Sequence, residues 1–244
     1  MGGVPVMGLY AVLLGPRCEH KAMSERVSLR CKAILFDMDG TLVDSTPVVE
    51  RAWGWWAERH GIPIQEVLDF SHGRPGSATL AHFLPGQDHT EEIAELSLFE
   101  ETETEGVLAV PGALEVLQTL EAKKLTWAIV TSAWRKLAER RVAGVGLPLP
   151  QVIVPVDEIR NGKPDPEGFL RAAELLGVAP EECVVFEDTR PGIDAGLSAG
   201  MQVVGLSTTF SARQLRHRPI VRDFRDVTVF PDGEGLKIEI EDWS

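Results

Sequence analysis

Short, uninterrupted apolar and β-branched runs recur along the chain at residues 33–36, 127–130, 152–154 and 184–186, each followed by small or polar residues and then a helix-like segment. A fifth run, 202–206, follows the Gly-rich stretch "DAGLSAGM". A strand that is apolar at every position, and not at every second one, has both faces covered. Covered strands interleaved with helices are the signature of a parallel sheet. The pattern predicts an α/β fold, a doubly wound parallel sheet.

Helix signals occupy the gaps. "PGALEVLQTLEAKK" has Pro111 near its start, apolar Leu114, Leu117 and Leu120, and a basic end that suits the helix dipole. "DPEGFLRAAELLG" runs from an Asp-Pro start to Gly177 as its stop. About ninety residues separate the first apolar run from the second, far more than one crossover helix needs. That interval holds "TPVVERAWGWWAERHG" and "TEEIAELSLFEETETEG", both helical in period, linked by "SHGRPGSATLAHFLPG". An inserted helical segment is the simplest account, with Trp53, Trp55 and Trp56 in its core and in its contact with the main body. The tail "DVTVFPDGEGLKIEIED" reads as a hairpin turning at "PDGEG". The expected division is an N-terminal extension at 1–30, a core at 31–45 and 112–226, a helical cap at 46–111 and a hairpin tail at 227–244.

The N-terminal "VPVMGLYAVLLG" is too short for the roughly 20 residues of a bilayer span. It also lacks the basic residues expected ahead of a signal peptide's apolar stretch. Met23 offers a second start, which would make residues 1–22 an upstream extension. Three well-separated cysteines, Cys18, Cys31 and Cys183, without a CxxC pair, suit a reducing compartment, so the cytoplasm is the expected location. The formal net charge of −13 sets a field that repels nucleic acid and anionic lipid, leaving a small metabolite as the expected partner and a monomer as the default state. A phosphorylated ligand would have to be held by local groups against that field.

In an open parallel sheet, ligands sit beyond the carboxyl ends of the strands. The residues directly after the runs are Asp37 and Asp39, then Thr131 and Ser132, then Lys163 in "NGKPDP", then Glu187 and Asp188. Three or four carboxylates converging at one edge repel one another unless a hard divalent cation sits among them, and oxygen-only donors suit Mg2+. A cation, a lysine and two hydroxyls around one point make a site for a phosphoryl group. Asp37 can then attack phosphorus, while Asp39 delivers a proton to the leaving oxygen and afterwards activates water. Taken singly, each has a plainer reading: Lys163 as a solvated turn lysine, Thr131 and Ser132 as helix caps, Glu187 with Asp188 as an acidic helix start.

"DMDGTLVD", "VTS", "GKP" and "FEDTRPGIDAG", in that order, resemble the four motifs of the haloacid dehalogenase superfamily, over roughly residues 31–210. The insert is similar to the helical cap of its phosphatases. "SHG" and "ETETEG" further resemble bacterial sugar phosphatases and the glycerol-phosphate and 2-deoxyglucose-6-phosphate phosphatases. The resemblance implies Asp37 as nucleophile, Asp39 as general acid and base, Thr131 or Ser132 as phosphoryl ligands and Lys163 as their counter-charge. It implies Mg2+ held by Asp37, the Asp39 carbonyl and Asp188, with Glu187 ligating either directly or through water.

A dehalogenase of this type needs no second Asp two residues on, so the pair argues for phosphoryl transfer. The related hexose-phosphate mutases carry a cap histidine where this chain has Val49, which favours transfer to water. Residues 46–111 contain no Lys for the Schiff base of a phosphonate-cleaving relative. His72 and Arg74 in "SHGRPG" are candidate contacts to sugar hydroxyls or phosphate, a solvated loop being the alternative. Asp44 is a candidate hinge residue, and Asp44 or Ser45 a candidate helix cap. The expected activity is a Mg2+-dependent phosphatase acting on small sugar or polyol phosphates through an aspartyl phosphate. A hexose-phosphate mutase and a non-catalytic phosphometabolite-binding module are the alternatives.

Overall fold

The computed structural model describes residues 25–71, 74 and 76–243. The apolar N-terminal run, Cys18, Met23 and His72 lie outside the described residues. Strand β1 (Glu25–Cys31) leads into β2 (Ala33–Phe36), and the two-residue β3 (Val43–Asp44) precedes helices α1 (Thr46–His60), α2 (Ile64–Ser71), α3 (Gly76–Phe83) and α4 (Thr90–Thr102). The chain returns through β4 (Leu108–Ala109) and alternates through α5 (Ala113–Lys123), β5 (Thr126–Val130), α6 (Arg135–Gly144), β6 (Val152–Val154), α7 (Glu167–Leu176), β7 (Cys183–Glu187), α8 (Arg190–Ser198) and β8 (Gln202–Leu206). Short α9 (Ala212–Leu215) and β9 (Ile220–Val221) precede the hairpin of β10 (Val227–Asp232) and β11 (Gly235–Asp242).

The six-stranded sheet has the order β6-β5-β2-β7-β8-β9 and is parallel throughout. Its central strands show why the apolar runs are unbroken. In β2, Ile34 and Phe36 enter one hydrophobic layer, while Ala33 and Leu35 enter the layer on the opposite face. Trp127 and Ile129 alternate with Ala128 and Val130 in β5 in the same way, as do Val184 and Phe186 with Cys183 and Val185 in β7. Phe36 stacks on Phe186 at 5.4 Å between centroids, and Phe224 closes against both, so the first layer is fixed by aromatic packing beneath the strand ends. The Cys31 and Cys183 thiols are free and buried.

Helices α1 to α4 have a core of their own, built on Trp53, Trp56, Ala57, Val67, Leu80 and Leu96. Trp55 stacks on Phe99 at its edge. The chain enters and leaves this helical segment through β3 and β4, which pair antiparallel with Val43 opposite Ala109 and Asp44 opposite Leu108. The Asp44 carboxylate accepts the Thr46 N–H at 3.2 Å, so Asp44, and not the side chain of Ser45, caps α1.

Two features depart from the sequence pattern. The segment read as a link between two helices contains α3, and α2 precedes it; each is 8 residues long, too short for the 3.6-residue period to stand out. No strand is expected before residue 33, yet β1 runs antiparallel to β11 and extends the C-terminal hairpin to three strands. Its alternation of Val27, Leu29 and Cys31 with polar neighbours is the period-2 signal of a half-buried strand. Among the described residues no helix is long and apolar enough to cross a membrane.

Candidate active site

The parallel strands end at one edge of the sheet, and the residues that follow them surround one cavity of about 150 Å³. Asp37, Asp39, Thr131, Ser132, Lys163, Glu187 and Asp188 all line it. Register accounts for the convergence. The Asp37 N–H bonds the Phe186 carbonyl at 3.0 Å and the Thr131 N–H bonds the Val154 carbonyl at 3.0 Å, so neighbouring strands carry their last residues to one level.

After Asp37 the backbone curls into a compact loop in which the Met38 carbonyl accepts from the N–H groups of Thr41, Leu42 and Val43. Gly40 has φ +85°, and a Cβ there would lie 2.1 Å from Asp188 Oδ2. Both the turn and the close approach of Asp188 require glycine. The Thr41 hydroxyl then donates to Asp188 Oδ1 at 2.9 Å.

The three carboxylates Asp37, Glu187 and Asp188 are buried, with one oxygen from each within 4.8 Å of the others. Lys163 is the cation beside them. It donates to Asp37 Oδ1, to Glu187 Oε1 at 2.7 Å and to the Val130 carbonyl at 3.2 Å, which uses all three ammonium hydrogens. Burial works against its charged form, but Asp37 and Glu187 outweigh that and hold its pKa above the ordinary lysine value. One positive charge does not balance three negative ones. Burial pushes the Asp37 pKa well above the usual range, Lys163 pulls it back, and Glu187 and Asp188 push it up again. Burial and Glu187 push Asp188 up to about 7.

Glu187 is held from every side. Its Oε2 accepts the Thr189 N–H at 2.7 Å and the Thr189 hydroxyl at 2.9 Å, while Oε1 accepts Lys163. Asp188 differs: its Oδ2 is buried and meets no hydrogen bond of ordinary geometry among the described residues, although the Thr209 hydroxyl lies close enough to favour the charged form. A buried carboxylate oxygen without a donor, among acidic neighbours with a single counter-charge, is the arrangement a divalent cation relieves.

Thr131 is buried and its Oγ1 accepts the Ala133 N–H at 3.0 Å, so it fixes its own loop while bordering the cavity. From the helical segment, Val49, Trp53, Ser71, Arg74, Gly76 and Glu100 close the cavity on the far side. Arg74 is exposed, donating to the Phe70 carbonyl at 2.6 Å with its guanidinium 4.4 Å over the Phe70 ring. It is thus a rim residue tied to the end of the preceding helix α2.

Sequence reasoning missed Arg141 and Glu100. Arg141, on α6, donates to Asp39 Oδ1 at 2.8 Å and to Glu100 Oε2, on α4, at 2.8 Å. Its side chain is 6% exposed. Burial raises the Glu100 pKa, Arg141 lowers it, and Asp39 raises it again. Four cations lie in "RKLAERR", which reads as a solvated basic face. The signal was positional: the buried residues of α6 are Leu137, Ala138, Arg141 and Val142, so Arg141 falls on the apolar stripe.

Comparison with known proteins gives the same family. Residues 31–200 match the family model "haloacid dehalogenase-like hydrolase". The chain is 43% identical over 211 residues to hexitol phosphatase A of Escherichia coli (strain K12), covering 85% of this chain and 98% of that protein. It is 34% identical over 232 residues to 2-deoxyglucose-6-phosphate phosphatase 2 of Saccharomyces cerevisiae, covering 84% and 94% respectively. Among solved structures, a hydrolase from Pseudomonas syringae superposes with a TM-score of 0.72 at 28% identity, over 80% of this chain and 95% of that one.

Proposed function

The chain belongs to the haloacid dehalogenase-like hydrolases, and from that premise we propose that it is a Mg2+-dependent phosphatase releasing phosphate from small sugar or polyol monoesters. The observation that carries this reading is the unbonded Asp188 Oδ2 beside Asp37 and Glu187, with Lys163 and the Thr131 and Ser132 hydroxyl residues around the same cavity.

The donor set is all oxygen and carries excess negative charge, which fits a hard divalent cation. Asp37, Asp188 and the Asp39 main-chain carbonyl would hold it. Because both Glu187 oxygens already accept bonds from Lys163 and Thr189, Glu187 suits contact through water. When bound, the ion neutralises the carboxylates and the transferring phosphoryl oxygens.

An Asp37 carboxylate oxygen attacks phosphorus as the bond from phosphorus to the substrate oxygen breaks, and Asp39 gives its proton to that leaving oxygen. Water then attacks the aspartyl phosphate, losing a proton to Asp39; the bond from Asp37 to phosphorus breaks and phosphate departs. Thr131 and Ser132 hold the non-bridging oxygens by hydroxyl and backbone N–H, while Lys163, its hydrogens already committed to Asp37, Glu187 and the Val130 carbonyl, supplies positive charge beside them through both steps. Residues 46–111 act as the cap over the leaving group, where Ser71, Glu100 and Trp53 offer a mixed polar and aromatic lining suited to a polyhydroxylated chain. Arg74 borders the cavity where the cap would meet the ligand's outer end, and His72 stays a candidate contact from the sequence alone. A cytoplasmic location accords with the free buried thiols.

The test is release of inorganic phosphate from sorbitol 6-phosphate and 2-deoxyglucose 6-phosphate, with and without Mg2+, using Asp37→Asn as control. Release by the wild-type protein with Mg2+ alone is expected. Equal rates for the two proteins would defeat the reading, and isomerisation without net phosphate release would replace it with a mutase.

A further inference from the structure

Arg141 lies between two carboxylates from distant parts of the chain, Asp39 on the loop after β2 and Glu100 on cap helix α4. A guanidinium this buried is costly to desolvate, and only the presence of both partners repays the cost. Its two terminal nitrogens each take one carboxylate, while Nε has no partner among the described residues. The fork is therefore defined by the separation of Asp39 and Glu100, and one cannot shift without loosening the hold on the other.

The Asp39 carboxyl is pinned through one atom. Oδ1 accepts both Arg141 Nη1 at 2.8 Å and the Ser45 hydroxyl at 2.6 Å. Oδ2 accepts no bond among the described residues and belongs to a side chain that borders the cavity. One oxygen is thus anchored and the other is left for the chemistry. Lys136 of α6 bonds Glu101 of α4 at 2.6 Å, so the same two helices meet at a second point beside the fork.

We propose that Arg141 is a positioning residue that orients Asp39 for proton delivery to the leaving oxygen, and that Glu100 makes this orientation conditional on the seated cap. The inference rests on the phosphatase reading above. With the cap seated, Glu100 holds the guanidinium and the guanidinium holds Asp39 Oδ1. With the cap lifted, Arg141 loses one of its two carboxylate partners and its guanidinium is free to turn, leaving the Ser45 hydroxyl as the firm hold on Asp39 Oδ1. Proton transfer demands placement within hydrogen-bond reach, and a misplacement of about 1 Å costs on the order of 10²-fold in rate. Cleavage is thereby confined to the state in which the leaving group is enclosed.

The test compares two esters whose leaving groups differ in their need for a proton. Sorbitol 6-phosphate expels an alkoxide when its P–O bond breaks and requires acid catalysis; p-nitrophenyl phosphate expels a stable phenolate and does not. For Arg141→Lys, kcat on sorbitol 6-phosphate should fall by about 10²-fold with KM changed by less than about threefold, while the burst of p-nitrophenolate in a rapid-mixing experiment slows by less than about threefold. Glu100→Ala should show the same split at about tenfold, and the double variant should lose little more than Arg141→Lys alone. Equal slowing of both esters in the first step, or a raised KM with unchanged kcat, would overturn the proposal. If Arg141→Lys shows no cooperative thermal unfolding, Glu100→Ala decides by the same criterion. A wild-type protein inactive on both esters would instead remove the phosphatase reading itself.

Discussion

Glu187 occupies the space where a side chain on residue 192 would stand. A Cβ built on Gly192 falls 1.6 Å from Glu187 Oε1 and 1.9 Å from its carboxyl carbon. Helix α8 approaches β7 closely because Gly192, and Gly196 one turn on against Val185, are bare, and the approach lets Thr189 cap the helix while its N–H and hydroxyl grip Glu187.

Gly192→Ala should therefore act on the site through Glu187. The carboxylate must leave its place, taking Lys163 with it, or the helix must retreat from the strand. Overpacking of this kind costs about 1–3 kcal/mol, seen as a lowered Tm, and phosphatase activity should fall with it. A variant with wild-type Tm and activity would show that the contact is readily relieved.

Lys163→Met should be more damaging than its size suggests. It leaves Asp37 and Glu187 buried without their shared cation, and breaking a buried pair by removing one partner costs about 3–5 kcal/mol. Denaturant titration in a metal-free buffer measures the loss, and Lys163→Arg, which cannot fit the same three acceptors with one nitrogen, should restore little of it.

Metal binding should be visible without turnover. An ion bound only by the folded chain stabilises it by about 2.7 kcal/mol at a concentration 100-fold above Kd, enough to raise Tm by several degrees for a chain of this size. A thermal melt with Mg2+ against one with EDTA reads this directly. Asp188→Asn should abolish most of the shift while retaining the fold, because the amide still fills the space above Gly40.

The alkaline limb of stability should be steep. Burial pushes Cys31 up to about 12 and Cys183 up to about 11, while unfolded thiols titrate near their ordinary values. Below those ordinary values both states are protonated and the thiols contribute no slope. Between about pH 9 and 11 the unfolded chain loses two protons that the native chain keeps, so stability falls with rising pH by about 2.7 kcal/mol per unit. Unfolding free energies of the wild type and a Cys31→Ala, Cys183→Ala variant across this range should converge on different slopes; parallel slopes would refute the assignment.

The sheet was legible because its central strands are buried on both faces, which writes itself into the sequence as unbroken runs such as "AILF" and "CVVFE". The placement of Asp37, Lys163 and Asp188 was legible for a related reason, since residues directly after parallel strands have one destination. Strand β1 was hidden by its setting, a weak alternation next to a segment that looked like an extension. Arg141 was hidden by company: three other cations on the same helix conceal the one that points inward, and its partners lie 102 and 41 residues away. Pairings that distant are set by the tertiary fold, and local pattern cannot carry them.

The paired strands β3 and β4 bring the outgoing and returning chain side by side. Everything between the two threads, helices α1 to α4 included, hangs from that one narrow junction, while Asp37, Lys163 and Asp188 belong to the sheet on its other side. A change in the length or make-up of the helical segment therefore leaves the register of the parallel strands, and the side chains at their ends, untouched.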